Sequence, residues 1–331
     1  WTEANQITLN DSINTHWKLI LIPAIILVIN DEQWKKRCWL SFSLGIGVLI
    51  THIYALKFFS IPWIKHNDPT GVFFNQLPQS VALAIFCTFC IHKIIENNEI
   101  TKRLAFGVLF LLSSYPIFAV SQQRLGYLSW AAGLFLILFI SSNSKQRKWS
   151  ILISICVFSA IYLMTPKLQD RFRLGFIEVQ EYHFANNYTS IGSRLHMWYT
   201  SIRSISEKPL LGHGIGSYPV VAKANFNDAT MCEIGCKHPH NQYIFYGLEF
   251  GVIGLGLFLT FLYKSIIQNI PYKRENAMPL VILSIFILGG FVESTLWYRG
   301  WVYLFIPLLA LAITQSEQSS SRISIKHEFH T

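Results

Sequence analysis

The stretch LGYLSWAAGLFLILFISS, Leu125–Ser142, runs for eighteen residues without a charged side chain. A helix of about 17–25 predominantly apolar residues crosses a bilayer core. The run is continuous rather than alternating, and lipid cannot satisfy open strand edges, so helix is the reading. Comparable runs fall at about 17–30, 38–60, 72–92, 103–120, 149–165, 242–263, 278–297 and 300–314, a working count of nine spans. Composition agrees: of 331 residues 52% are hydrophobic and only 14% charged, against about 25% charged in soluble domains. A soluble enzyme, a nucleic-acid-binding domain and a disulfide-rich secreted module are excluded. The expectation is an all-α, polytopic transmembrane protein.

The net charge of +9 is distributed between the runs, not over one face. Lys35, Lys36 and Arg37 form one cluster, and Lys93, Lys102 and Arg103 another. Lys145, Arg147 and Lys148 form a third, Lys264, Lys273 and Arg274 a fourth, and Arg322 and Lys326 lie in the tail. The intervening connections hold only Lys57 and Lys65, Arg124, and Arg299. Positive loops stay in the cytoplasm, so the first fifteen residues and the long segment 166–240 are expected outside. The chain opens on Trp1 without a signal-peptide pattern, and this orientation expects an odd number of further spans upstream. Four regions follow: spans with short loops over 1–165, an external loop with amphipathic helices over 166–240, spans over 241–315, and a tail, 316–331, that reads as disordered. Within the loop, Leu195, Trp198, Ile202 and Ile205 recur near helical spacing, and Gly212, Gly214 and Gly216 mark a turn. That turn lacks the Lys-Ser/Thr of a phosphate-binding P-loop.

Cys38, Cys87, Cys90 and Cys156 lie in or beside apolar runs and read as packing residues. Cys232 and Cys236, in the external loop, suit a disulfide in an oxidising compartment. The rival is a zinc site made with His238 and His240, whose spacing is tighter than the usual structural sites. The reading assigns no metal and no cofactor.

Ionisable groups near membrane depth are functional candidates. Arg124, Arg194, His240 and Arg299 all fall at the external ends of spans. Gly247, Gly251 and Gly254 lie along one face of the helix that follows His240, and read as a strip for close helix packing. Glu249 and Glu293 read as contacts to partner helices. Glu249 lies nearly opposite His240 around the helix and is not expected to orient it.

The sequence His238-Pro239-His240-Asn241-Gln242-Tyr243 followed by Gly251-x-x-Gly254 resembles the signature of the bacterial O-antigen ligases, a family shared with O-antigen polymerases and protein O-oligosaccharyltransferases. Leu255 departs from the Gly, Thr or Tyr usual after that motif. Arg194 with Trp198, then Pro209-Leu210-Leu211-Gly212-x-Gly214-x-Gly216-Ser217, resembles a second family segment, and Ser121-x-x-Arg124-x-Gly126 a third, with one extra residue between Ser and Arg. The resemblance implies a GT-C-like glycosyltransferase of the inner membrane, with its active site facing the periplasm. Its donor would be O-polysaccharide on undecaprenyl diphosphate, its acceptor the lipid A-core, and no nucleic acid would take part.

Carried over to matching positions, His240 is the catalytic base, and Arg124 and Arg194 bind the diphosphate, with Arg299 a third cation. The chemistry suits these types: Arg keeps its charge and binds phosphate oxygens bidentately, and a sugar hydroxyl needs a base that titrates near neutrality. The resemblance implies inversion at the anomeric carbon, and the lack of a paired Asp motif fits a metal-free transfer. The alternatives are an O-antigen polymerase, a protein O-oligosaccharyltransferase, and a transporter without covalent chemistry. A transporter predicts midplane ionisable groups and pseudo-symmetric halves, and the sequence displays neither. The whole reading expects Arg124, Arg194 and His240 to meet in one pocket.

Overall fold

The computed structural model describes residues 2–29, 31–59, 75–121, 123–182, 189–226, 232–233, 235–270 and 277–328, with side chains up to residue 314. The described residues are helical and contain no strand. In chain order the helices are α1 (Gln6–His16), α2 (Leu21–Val28), α3 (Glu32–Phe58), α4 (Gln76–Glu96), α5 (Ile100–Tyr115), α6 (Arg124–Ser141), α7 (Arg147–Met164), α8 (Pro166–Gln180), α9 (Ser190–Glu207), α10 (Tyr218–Asn225), α11 (Gln242–Asn269), α12 (Ala277–Val292) and α13 (Arg299–Glu328). Seven segments are long and apolar enough to cross a membrane: Gln6–Val28, Glu32–Phe58, Gln76–Glu96, Ile100–Ser121, Arg124–Ser141, Arg147–Met164 and Gln242–Asn269. Ala277–Val292 and Arg299–Thr314 are shorter apolar helices. Each of the nine runs read from the sequence therefore contains a helix among the described residues, and the chain is a multi-pass membrane protein.

Two boundaries differ from the sequence reading. The first apolar segment begins at Gln6, because Asn5 caps α1 by accepting the Thr8 N–H and a 3-10 turn, Trp17–Ile20, joins α1 to α2. At the other end α13 continues to Glu328, through a tail whose Ser319, Ser320 and Ser321 suggest disorder. An established helix propagates more easily than it nucleates, so serines alone do not stop it.

The chain divides into two compact units. One comprises Ile22–Gln169, Ser265–Ile285 and Leu304–Thr331. Its centre is α4, buried almost continuously from Pro78 to Cys90, with α5 and α6 packed on it. Close approach explains the fit: a Cβ added at Gly133 of α6 would collide with the Thr88 hydroxyl of α4. Small residues at a helix contact serve this purpose in lipid, where hydrophobicity does not drive helices together. By contrast, the outward-facing α7 has only Ser150 buried. Lys35 is buried here, its Nζ donating to the Thr314 carbonyl at 3.1 Å.

The other unit comprises Trp1–Leu21, Asp170–Lys264 and Phe286–Tyr303. Helix α9 behaves differently from its pattern. Its buried positions are Gly192, Ser193, His196, Met197, Thr200, Ser201 and Ser204, while Leu195, Trp198 and Ile205 are half-buried and Ile202 is exposed. In a membrane protein the apolar stripe need not turn inward, and small residues pack best against protein.

In the same unit α11 is interrupted. Gly251 has φ 63° and ψ −165°, a conformation reserved for glycine. The segment Pro209–Gly214 fills the break. Val252 and Ile253 donate to the carbonyls of Pro209 and Leu210 at 2.8 and 3.3 Å, and His213 and Gly214 donate to those of Leu248 and Glu249 at 2.8 and 2.9 Å. Non-helical backbone at membrane depth persists only where protein supplies such partners. Gly212, Gly214 and Gly216 all have positive φ, as the turn reading expects. A Cβ at Gly212 would strike the α11 backbone at Leu248 to Gly251. Gly251 is therefore a helix break and not part of a packing strip.

Candidate functional site

The candidate site lies at the start of α11. Asn241 caps this helix: its Oδ1 accepts the N–H groups of Tyr243 and Ile244, each at 3.0 Å. An amide after the His thus has a structural reason, since an N-cap Asn satisfies otherwise orphaned donors. The same motif ties α11 to the end of α12 and the turn beyond it. Asn241 donates to the Phe291 carbonyl at 3.1 Å, Tyr243 donates its hydroxyl to the Ile287 carbonyl at 2.8 Å, and Gln242 accepts the Leu296 N–H at 2.8 Å.

Those ties bring Glu293 to His240. The His240 Nδ1 stands 3.1 Å from Glu293 Oε2, while Oε1 accepts the Ser294 N–H at 3.0 Å and lies 3.5 Å from His238 Nδ1. Burial opposes ionisation of Glu293, but the hydrogen bond from His240 and the positive charge of Arg194 hold its carboxyl below the usual range. An ionised carboxylate only accepts, so Nδ1 of His240 carries a proton, and the neutral tautomer with that arrangement has its lone pair on Nε2. The side chain of Glu293 is 4% exposed and that of His240 24%. A fixed, dry carboxylate thus holds an imidazole that solvent and solutes can reach.

His240 has φ 50°, unusual for a residue with a Cβ. Its N–H donates to His238 Nδ1 at 3.4 Å. An accepting Nδ1 requires His238 to be neutral. Burial pushes its imidazolium down to about 4; Glu293 opposes the shift, and the charges of Arg194 and Lys237 add to it.

Arg194 belongs to this group, since its charge acts on both His238 and Glu293. Its place comes from Trp198, one turn further along α9, whose indole N–H donates to the Pro239 carbonyl at 2.9 Å. Residues four apart share a helix face, so Arg194 lies on the face of α9 whose Trp198 anchors the His-bearing loop. The Arg-x-x-x-Trp spacing encodes that arrangement.

Of the other expected residues, Arg124 belongs to the other unit and Arg299 to this one. Arg124 is the first residue of α6, after a π-type turn, Pro116–Ser121. Arg299 is exposed at the start of α13. Cys232 and Cys236 are joined in a disulfide, so neither is free to bind zinc with the histidines. Among the described residues His238, His240 and Glu293 form the one group able to hold a metal ion. Glu249 turns away from His240, accepting the Tyr218 N–H at 3.4 Å from the start of α10.

Glu293 is the residue that the sequence reading misplaced as a helix contact. A carboxylate buried at the end of an apolar run, close after a His motif, was its only signal.

Residues 106–259 match the family model described as O-antigen ligase. A Rickettsia typhi protein provisionally named a polysaccharide ligase is 24% identical over 315 residues, covering 91% of this chain and 74% of that protein. An O-antigen ligase of Escherichia coli is 27% identical over 226 residues, 64% of this chain and 53% of its own length. A ComP-specific O-oligosaccharyltransferase of Acinetobacter baylyi is 22% identical over 289 residues, 84% of this chain and 50% of its own length. The matched family segment contains Arg124, Arg194 and His240 but ends before Glu293. These similarities support a ligase-type, glycan-transferring function.

Proposed function

We propose, with the O-antigen ligase domain of residues 106–259 as the premise, that the protein transfers a polysaccharide from undecaprenyl diphosphate to a hydroxyl of the lipid A-core oligosaccharide. In this reading the acceptor oxygen attacks the anomeric carbon from the side opposite the diphosphate. The new C–O bond forms as the bond to the phosphate oxygen breaks, inverting the centre. The hydroxyl proton passes to His240 Nε2, and the electron pair leaves on the diphosphate. Glu293 keeps the proton on Nδ1 and stabilises the imidazolium that forms, as carboxylate partners do for catalytic histidines. Arg194 supplies a permanent cation where the leaving group gains charge. Arg124 is proposed for the same diphosphate from the family motif alone, and Arg299 as a weaker third cation. No metal takes part in the step. The reading orients the site toward the periplasm of an inner-membrane protein.

The observation that carries the proposal is the 3.1 Å contact between His240 Nδ1 and Glu293, within reach of the Arg194 charge. Lipopolysaccharide gels of a deletion strain test it. A ligase defect leaves polymer on the carrier lipid and core without O-antigen. Core capped by a single repeat would identify a polymerase instead. Transfer by purified protein from donor lipid to core acceptor, with and without EDTA, tests the metal-free step directly.

A further inference from the structure

We propose that His238, His240 and Glu293 form an inhibitory site for a divalent transition-metal ion of the zinc class. One ligand atom from each residue lies within 4.8 Å of the others. A tetrahedral ion with nitrogen and oxygen ligands at about 2.0–2.2 Å has ligand-to-ligand edges of roughly 3.3–3.5 Å. His240 Nδ1 lies 3.1 Å from Glu293 Oε2 and His238 Nδ1 3.5 Å from Oε1, so each imidazole stands at about such a distance from one of the two carboxylate oxygens. Two imidazoles and a carboxylate are a ligand set for zinc, copper(II) or nickel and a poor one for magnesium or calcium. Three protein ligands leave a fourth position open. The rings are 15% and 24% exposed, which gives an ion a way in. Both cysteines that would compete for it are consumed by their disulfide.

Two features make the ion a visitor and not a resident. The Arg194 charge acts on the same residues and repels a dication. Binding also displaces the weak 3.4 Å bond from the His240 N–H to His238. The ion takes the lone pair of His240 Nδ1, and the ring's single proton moves to Nε2. That nitrogen then has no pair with which to accept a proton from an acceptor hydroxyl. The inhibitory consequence rests on the base role proposed above for His240; the binding site does not.

The experiment uses the full chain in detergent with cobalt(II) as the probe. Four-coordinate cobalt gives intense visible d–d bands, which zinc should abolish by displacement. The bands should appear in the wild type and vanish in His238→Gln. Zinc should slow wild-type transfer at least tenfold, reversibly on adding EDTA. In His238→Gln, measured against its own metal-free rate, at least tenfold more zinc should be needed. A zinc-induced rise in the wild-type melting midpoint provides a readout that needs no variant to fold. Absence of cobalt bands and of that rise would overturn the site, as would bands unchanged in His238→Gln. Bands that obey the proposal without any inhibition would uphold the metal site and reject His240 as the base.

Discussion

Glu293 Oε2 and His240 Nδ1 are 3.1 Å apart, although 53 residues separate them in the chain. The contact fixes which ring nitrogen carries the proton. Replacing Glu293 with Gln keeps the shape but removes the charge that stabilises the imidazolium, and it allows the ring to adopt the other tautomer. We expect kcat for polysaccharide transfer to fall by about 10²–10⁴, with KM changed far less. His240→Ala should abolish transfer while leaving the protein in the membrane. A Glu293→Gln enzyme with wild-type kcat would remove the carboxylate from the mechanism.

Acid should destabilise the site in a defined window. His238 resists protonation in the folded chain, down to about 4, against 6.5 for its ordinary value. The unfolded chain therefore takes up the proton first, and stability is complete above pH 6.5 and lost as pH falls toward 4. Between pH 7 and 5 the loss is about 2 kcal/mol. Glu293, held low, adds a further loss in the same direction below its ordinary value of 4.5. Melting midpoints in detergent across this range should decline, and His238→Gln should flatten the part above pH 5. An equal slope in that variant would trace the acid sensitivity to other groups.

Trp198→Phe removes the N–H that holds the Pro239 carbonyl at 2.9 Å. The direct cost is about 1 kcal/mol, visible as a small drop in melting midpoint. Transfer should fall roughly tenfold, since a misplacement of about 1 Å remote from the chemistry is enough for losses of this order or greater. A fully active Trp198→Phe protein would show that this hydrogen bond does not position Arg194.

Gly251→Ala should destabilise the protein by roughly 2 kcal/mol or more, because its backbone angles suit only glycine and the new Cβ would meet the Leu210 carbonyl. Gly256 offers the control: it lies five residues further along the same helix, and a Cβ there meets nothing within 4 Å. Comparable melting midpoints for the two alanine variants would contradict the break described at Gly251.

The spans were legible because apolar run length maps directly onto bilayer thickness. Arg194 with Trp198, and His240 with Asn241, were legible as local patterns, since a helix turn and an N-cap are set by neighbours in sequence. Glu293 was not, because nothing local distinguishes a carboxylate that meets a His from one that meets another helix. Gly251 misled for a related reason. Glycines four and three apart describe a smooth packing face as well as a broken helix, and the decision lies with the Pro209–Gly214 backbone, some forty residues upstream. The tail serines misled because local propensity ignores the helix already running into them.

The interrupted α11 also constrains biogenesis. Chains are made from the N-terminus, and the Pro209–Gly214 insert precedes Gln242–Asn269 in that order. The segment that completes the span has therefore emerged before the span does. A circular permutant starting at α11 would reverse this schedule, sending a helix with open backbone groups into lipid ahead of the loop that satisfies them.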